Sequence, residues 1–257
     1  MQLTMADVGV RVIEMRDRSR RSNVPTVLGR QVKERAWPLR HLDFTMTGGE
    51  TVFVLDIAND RPNLFLRIAT GLLMPDEGRV TLPARSILAV TPRPKTVASL
   101  SVGQALRMTA GMYGLTDRMV TRRFDEMVEF AEVSRLLHRP VDSQPRHVID
   151  QVAFAAAVCA PVELVAFDRN AEVGPKEFRA KCSTKLAEMK AAGRGALVFS
   201  QDPRQIRRLA DRGLVLDADV SQLLSPDAFA DLTIEHKAGR LAERKKRKRR
   251  RKRAGDE

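Results

Sequence analysis

The side chains able to do chemistry are few and scattered. His41, His138, His147 and His236 show no ligand spacing, and Cys159 and Cys182 form no C-x-x-C pair, which argues against a zinc site. Cys159 sits among small apolar residues, where a core thiol is the default. No Cys-His or Ser-His-Asp arrangement can be read from the spacing, so nucleophilic catalysis has no candidate. Asp168 follows directly on the apolar run Glu163 to Phe167. A carboxylate there caps a strand end, pairs with Arg169 or serves as a metal ligand, and a divalent ion needs more oxygens than one aspartate brings. The densest chemistry is electrostatic: residues 244–253 read RKKRKRRRKR.

That block dominates the charge. The chain has 257 residues with 45 Lys and Arg against 32 Asp and Glu, a net charge of +13. Residues 244–257 hold ten of the bases and two of the acids (Asp256 and Glu257), leaving 35 against 30 in the body. The basic character therefore describes a partner of the tail, not of the globular surface. A run of ten like charges repels itself, so 244–257 is expected to be disordered. Arg244, Lys245, Lys246, Arg247, Lys248, Arg249, Arg250, Arg251, Lys252 and Arg253 would bind anionic lipid headgroups, nucleic acid or an acidic polymer, or serve only solubility. Segment 221–243 reads as a helical extension without a clean wide apolar face, hence not a strong membrane helix by itself. The favoured partner is the anionic membrane surface. Nucleic acid ranks lower because the body lacks aromatic-basic interleaving.

Two cysteines in a chain of this length argue against a disulfide framework and fit a reducing compartment. The first residues, MQLTMADVGVRVIEMRD, lack a basic leader and an uninterrupted apolar core, and the stretch Val152 to Phe167 is too short to span a bilayer. A cytoplasmic protein, peripheral at the inner face of the plasma membrane, is expected.

The elements that must position these residues alternate in period. Val8 to Met15 and Leu39 to Met46 alternate as strands, with Arg16 to Ala36 read as an irregular connection. Thr51 to Ile57, Glu163 to Phe167, Ala196 to Ser200 and Gly213 to Leu216 are short apolar runs suited to strands buried on both faces, the last taken as the final core strand. Arg79 to Leu82 and Ser86 to Val90 are further short strands. Helical spacing follows Leu64, and again over Val102 to Tyr113, Met119 to Leu137, Gln151 to Cys159, Pro175 to Ala192 and Pro203 to Ala210. Strands alternating with helices point to a mostly parallel α/β sheet.

This order, with several phrases in it, resembles the ATP-binding cassette (ABC) ATPases, above all the nucleotide-binding subunits of O-antigen, capsule and teichoic-acid exporters. The likeness covers roughly residues 7–220. AWPLRHLDFTMTGGE (36–50) resembles the strand leading to the phosphate loop, with Trp37 near the adenine-stacking aromatic. Gly71 and PDEG (75–78) resemble the stretch after the first helix, and FDEMVEFAEV (124–133) the helical subdomain. AEVGPKEFRAKC (171–182) resembles the segment after the second phosphate-site strand, and FSQDPRQIRRLADRGLVLD (199–217) the switch strand and its helix. The resemblance implies an α/β cassette over 1–220, with a RecA-like core, a β-rich edge and a helical subdomain at about 95–160.

The residues that would do the family's chemistry are replaced. A phosphate loop uses glycine N–H groups, a lysine on the β- and γ-phosphates and a Ser or Thr on magnesium. Here Asp56, Asn59 and Arg61 stand where glycines belong, Pro62 takes the lysine position, and Asn63 and Leu64 follow. Asp168 matches the magnesium-associated aspartate, but Arg169 takes the place of the catalytic glutamate and Gln201 that of the switch histidine. The signature loop reads Pro145-Arg146-His147, Pro175 replaces an acidic residue, and no glutamine occurs between Thr91 and Lys95. Trp37, Asn59 and Asn63 remain as a degenerate nucleotide site, with Asp168 as its lone metal candidate. The expectation is a pseudo-ATPase of surface-polysaccharide export: ATP and magnesium at most weak, partners a membrane permease or polymer-assembly protein, with homodimerisation or pairing with another ABC subunit. A working exporter ATPase with altered motifs and a nucleic-acid-binding protein are the alternatives.

Overall fold

Alternate residues of the central strands enter opposite cores, which is why those strands read as unbroken apolar runs. The computed structural model describes residues 1–17, 31–57, 62–91, 97–168, 171–217 and 220–253. Its elements in chain order are β1 (Gln2–Asp17), β2 (Gln31–Thr47), β3 (Thr51–Asp56), α1 (Pro62–Ala69), β4 (Glu77–Thr81) and β5 (Ser86–Ala89). Then come α2 (Val102–Met112), α3 (Asp117–Ala131), α4 (Arg146–Val158), β6 (Leu164–Phe167), α5 (Lys176–Ala191) and β7 (Gly195–Phe199). The chain continues through α6 (Pro203–Leu209), β8 (Arg212–Asp217), β9 (Val220–Leu224) and α7 (Pro226–Arg253).

The main sheet has six strands in the order β5-β6-β7-β3-β8-β9, all parallel except β9, which runs antiparallel to β8. Val52, Val54, Leu164, Ala166, Leu197 and Leu214 face α1 and the hairpin residues Leu3, Leu42 and Phe44. Phe53, Leu55, Val165, Phe167, Val198 and Val215 face the other core, with α2 through α6 and Phe229 of α7. A three-stranded antiparallel sheet, β2-β1-β4, forms the β-rich edge. Gly78 (φ +81°) lets β4 approach β1, since a Cβ there would lie 2.2 Å from the Asp7 carbonyl oxygen. The α/β architecture expected from the alternation is thus the one observed.

Local signals position the helices that matter below. Ser101 and Gln104 form a reciprocal capping box at the start of α2. Thr116 caps α3, which ends at Ala131, where Glu132 turns left-handed (φ 60°), short of the Leu137 the periodicity suggested. Lys181 of α5 closes that end, donating to the Phe130 carbonyl (2.9 Å) and the Glu132 carboxylate (3.1 Å). Helix α4 begins at Arg146, five residues before the expected Gln151.

Three expectations need correction. The connection read as irregular from Arg16 to Ala36 is strand at both ends: β1 and β2 stay paired out to Asp17 and Gln31, because antiparallel pairing satisfies the backbone whatever the side chains. Residues 18–30 lie outside the described residues. Gly213 to Leu216 is the last strand of the core, and beyond it Val220–Leu224 adds β9 at the sheet edge. The extension at 221–243 is therefore strand before it is helix. Finally, 244–253 is helical rather than disordered. Lys and Arg are good helix formers, the segment prolongs an existing helix with no new nucleus, and positive charge favours a helix C-terminus. Only 254–257 lies outside the described residues at that end.

Candidate functional site

Parallel strands carry their C-terminal ends to one edge, so neighbours in the sheet assemble a site from distant sequence. Strands β6, β7 and β3 are adjacent, with Phe167 opposite Val198 and Val54 opposite Phe199. One step on, Asp168 leaves β6, and Ser200 and Gln201 leave β7 beside Asp56 at the end of β3. Asp56 and Ser200 are buried, while Asp168 and Gln201 are half-buried. The Asp168 amide donates to the Ala89 carbonyl of β5 (3.3 Å), which ties the end of β6 to its neighbour in the sheet. The Ser200 hydroxyl accepts from the Asp202 amide (3.2 Å), and Asp202 in turn caps α6 through the Arg204 amide (3.0 Å). Helix α1 opens at this edge with Pro62 and Asn63 as its first residues.

The structure thus brings Asp168, Gln201 and the start of α1 to one edge. Asn59 and Arg169 lie outside the described residues, as do 92–96 of the loop after β5. Trp37 sits on β2 in the antiparallel sheet, and two guanidinium groups lie over its ring: Arg40 at 4.9 Å and Arg11 at 5.6 Å. Arg40 is held by Glu77 (3.5 Å), and the Arg11 amide by Asp76 (2.7 Å). The ring is therefore already engaged by cations from β1 and β2.

Pro145, Arg146 and His147 stand elsewhere, at the start of α4. Pro145 occupies the N-cap and makes no side-chain cap, Pro145 and Arg146 are exposed, and His147 is half-buried. Beside them Ala98, Val141, Gln144 and Ile149 help line a cavity of about 360 Å³. Among the described residues no three His, Cys, Asp or Glu side chains converge as a metal site.

Several contacts had no sequence signal because their partners are far apart in the chain. Arg194 donates to the carbonyls of Val162 (2.8 Å), Ala160 (2.9 Å) and Val158 (3.0 Å), sealing the end of α4. Burial lowers its pKa from the usual arginine range. Arg208 of α6 pairs with Glu172 in the stretch after β6, and Ser183 donates to the same carboxylate. Arg207 reaches Asp231 (2.6 Å) and Asp227 (3.5 Å) of α7. Helix α6 therefore links the loop after β6 to α7. Neither thiol is poised for chemistry: burial pushes Cys159 and Cys182 up to about 12.

No family model matches the chain. In sequence it is 25% identical over 177 residues, 68% of its length, to the teichoic acids export ATP-binding protein TagH of Listeria innocua. It is 27% identical over 182 residues, 70% of its length, to that of Lactococcus lactis. The ABC transporter protein AbcA of Aeromonas salmonicida is 21% identical over 179 residues, 70% of this chain and 58% of that protein. The chain spans 52% and 39% of the two export proteins' own lengths, about half or less. Among solved structures, the ATP-binding subunit of an ABC transporter superposes with TM-score 0.66 at 16% identity, over 89% of this chain and 91% of that one. A nucleotide-free ATP-binding cassette from an ABC transporter gives 0.65 at 15% identity, over 91% and 96%.

Proposed function

We propose that this chain, which has the ATP-binding cassette fold and resembles teichoic-acid-export ATP-binding subunits in sequence, serves a surface-polysaccharide export system by binding rather than by hydrolysing ATP. The observation that carries the reading is the β3–α1 connection. A phosphate cradle requires backbone N–H groups that glycines bring close to the anion, and a cation at the first turn of the helix. In this chain the connection reads Ile57-Ala58-Asn59-Asp60-Arg61, without a glycine, and α1 opens on Pro62 and Asn63. Proline has no N–H to donate.

The other positions support the same conclusion. Arg169 and Gln201 stand where a general base and a switch histidine would be needed, and of these positions Asp168 alone matches the family's magnesium-associated residue. The Trp37 ring is engaged by Arg40 and Arg11 instead of being open to adenine. The residues present do not fit magnesium-ATP. An ATP shared between two subunits draws its phosphate loop from one and its signature loop from the other; both are altered here, so an intact partner could not complete a site with this chain. Loss of transition-state electrostatics and of the base each lowers a rate by orders of magnitude.

What remains is shape. Both cores around the central strands are intact, so the cassette surface is kept as a docking surface for a membrane permease or polymer-assembly protein, with the chain at the cytoplasmic face of the membrane and able to pair with itself or another cassette. No helix among the described residues is long and apolar enough to cross a membrane. A second reading, a working ATPase with altered motifs, is favoured by the relatives' naming as ATP-binding proteins. Phosphate release by the purified protein separates them. The binding reading expects no release above buffer and none changed by Asp168→Asn; turnover abolished by that substitution establishes the ATPase.

A further inference from the structure

The cavity of about 360 Å³ beside the start of α4 has a wall that the fold holds in place. That wall is a short helical turn, Val141–Ser143, strapped to the segment before α2. The Val141 amide donates to the Leu100 carbonyl (2.9 Å), and the Asp142 amide donates to the Ala98 carbonyl (3.3 Å). The half-buried Gln144 side chain ties back to the turn, its Nε2 donating to the Ser143 hydroxyl (2.6 Å). Val141 and Ile149 are buried and, with Ala98, give the lining an aliphatic side. The volume is that of a small-ligand pocket.

Two opposite charges share this lining, Asp142 and Arg146. They make no ion pair with each other, and neither side chain has another hydrogen-bond or ionic partner among the described residues. Negative charge in an occupant is favoured at Arg146 for a second reason. Pro145 holds the N-cap without a side-chain cap, so no side chain neutralises the partial positive charge of the first-turn N–H groups of α4. A pure anion, magnesium-ATP included, would meet the Asp142 carboxylate. A pure cation would meet Arg146 and the helix end, and a hydrocarbon would leave both charges unmatched. A molecule with an ammonium, a carboxylate and an apolar body matches all three parts of the lining.

We infer that this cavity is a binding site for a small zwitterion, of the class of α-amino acids with a large apolar side chain. The ammonium pairs with Asp142, the carboxylate pairs with Arg146 at the end of α4, and the side chain packs against Val141, Ile149 and Ala98. This goes beyond the export reading and does not rest on it, since the site holds whether or not the cassette hydrolyses ATP. An occupant braces the start of α4 against the turn at Val141–Ser143.

The test is isothermal titration calorimetry of the full chain with L-phenylalanine, with hydrocinnamate, which lacks the ammonium, and with phenethylamine, which lacks the carboxylate. L-Phenylalanine is expected to bind with a Kd below about 1 mM, and each analogue at least about tenfold more weakly. Asp142→Asn should weaken L-phenylalanine about tenfold without weakening hydrocinnamate. Arg146→Gln should weaken it about tenfold without weakening phenethylamine. Both residues are exposed and neither side chain holds a partner in the fold, so the variants fold and a circular dichroism spectrum verifies it. Absence of saturable L-phenylalanine binding overturns the inference, as does binding that both variants keep or that hydrocinnamate matches.

Discussion

Phe229 of α7 occupies the space that a side chain at position 213 of β8 would need: a Cβ built on Gly213 would stand 2.1 Å from Phe229 Cγ. The glycine is what lets the helix root lie directly on the sheet. Gly213→Ala should therefore destabilise the protein by about 2–3 kcal/mol through overpacking, and should loosen α7 specifically. Urea denaturation measures the first effect. Limited proteolysis between β9 and α7 measures the second, with faster cleavage than in the wild type expected.

Arg194 is the strut behind α4. Its guanidinium donates to three part-buried carbonyls at and just beyond the end of that helix, so Arg194→Met takes a charged donor from each, the Ala160 carbonyl alone keeping the Val162 amide. The expected loss is about 2–4 kcal/mol. Arg194→Lys recovers only part of it, because one ammonium cannot reproduce the planar fork. Denaturation midpoints of the three proteins should fall in the order wild type, lysine, methionine.

The two buried thiols set an alkaline limit on stability. Their pKa rises from an ordinary 9.0 to about 12 on folding. Above pH 9.0 the unfolded thiols lose protons that the folded ones keep, so stability falls as pH rises from 9.0 to about 12, and below that window the thiols contribute nothing. Tyr113, whose phenol donates to the Val90 carbonyl (3.1 Å) and whose pKa burial also raises, adds a fall in the same direction. Urea midpoints at about pH 8 and about pH 11 should differ, and Cys159→Ala with Cys182→Ala should narrow the difference. At neutral pH a thiol reagent should react only at the rate of opening.

Much of the fold was legible in the sequence for one physical reason. Strands such as Thr51–Asp56 and Leu164–Phe167 are buried on both faces, so their apolar runs are unbroken. The elements that escaped lack that constraint. Val220–Leu224 is an edge strand with exposed Gln222 and Leu223, the outer parts of β1 and β2 are polar and basic, and α7 combines Gly239 with a run of like charge. In the candidate site, residue identities such as Pro62 and Gln201 were readable from phrase order. The pairing of Phe167 with Val198 and of Val54 with Phe199, which brings Asp168 and Gln201 to one edge, comes from strand order, and no local pattern encodes it. The same holds for Arg208 with Glu172, 36 residues apart.

Trp37 is the only tryptophan in the chain, so its fluorescence reports on one place. With Arg40 at 4.9 Å and Arg11 at 5.6 Å over the ring, Arg40→Ala should shift emission to the red as water replaces the guanidinium, at a stability cost of about 0.5–1 kcal/mol. Added magnesium-ATP should leave the wild-type spectrum unchanged. A saturable quench would mean that adenine displaces an arginine from the ring.

The central claim, that the cassette has kept its shape and lost its nucleotide chemistry, is tested most directly by isothermal titration calorimetry of the full chain with magnesium-ATP. With Pro62 and Asn63 opening α1 and no glycine between Asp56 and Pro62, binding should be weaker than about 1 mM. A saturating isotherm with a Kd near 1 μM, about 4 kcal/mol tighter, would contradict the account.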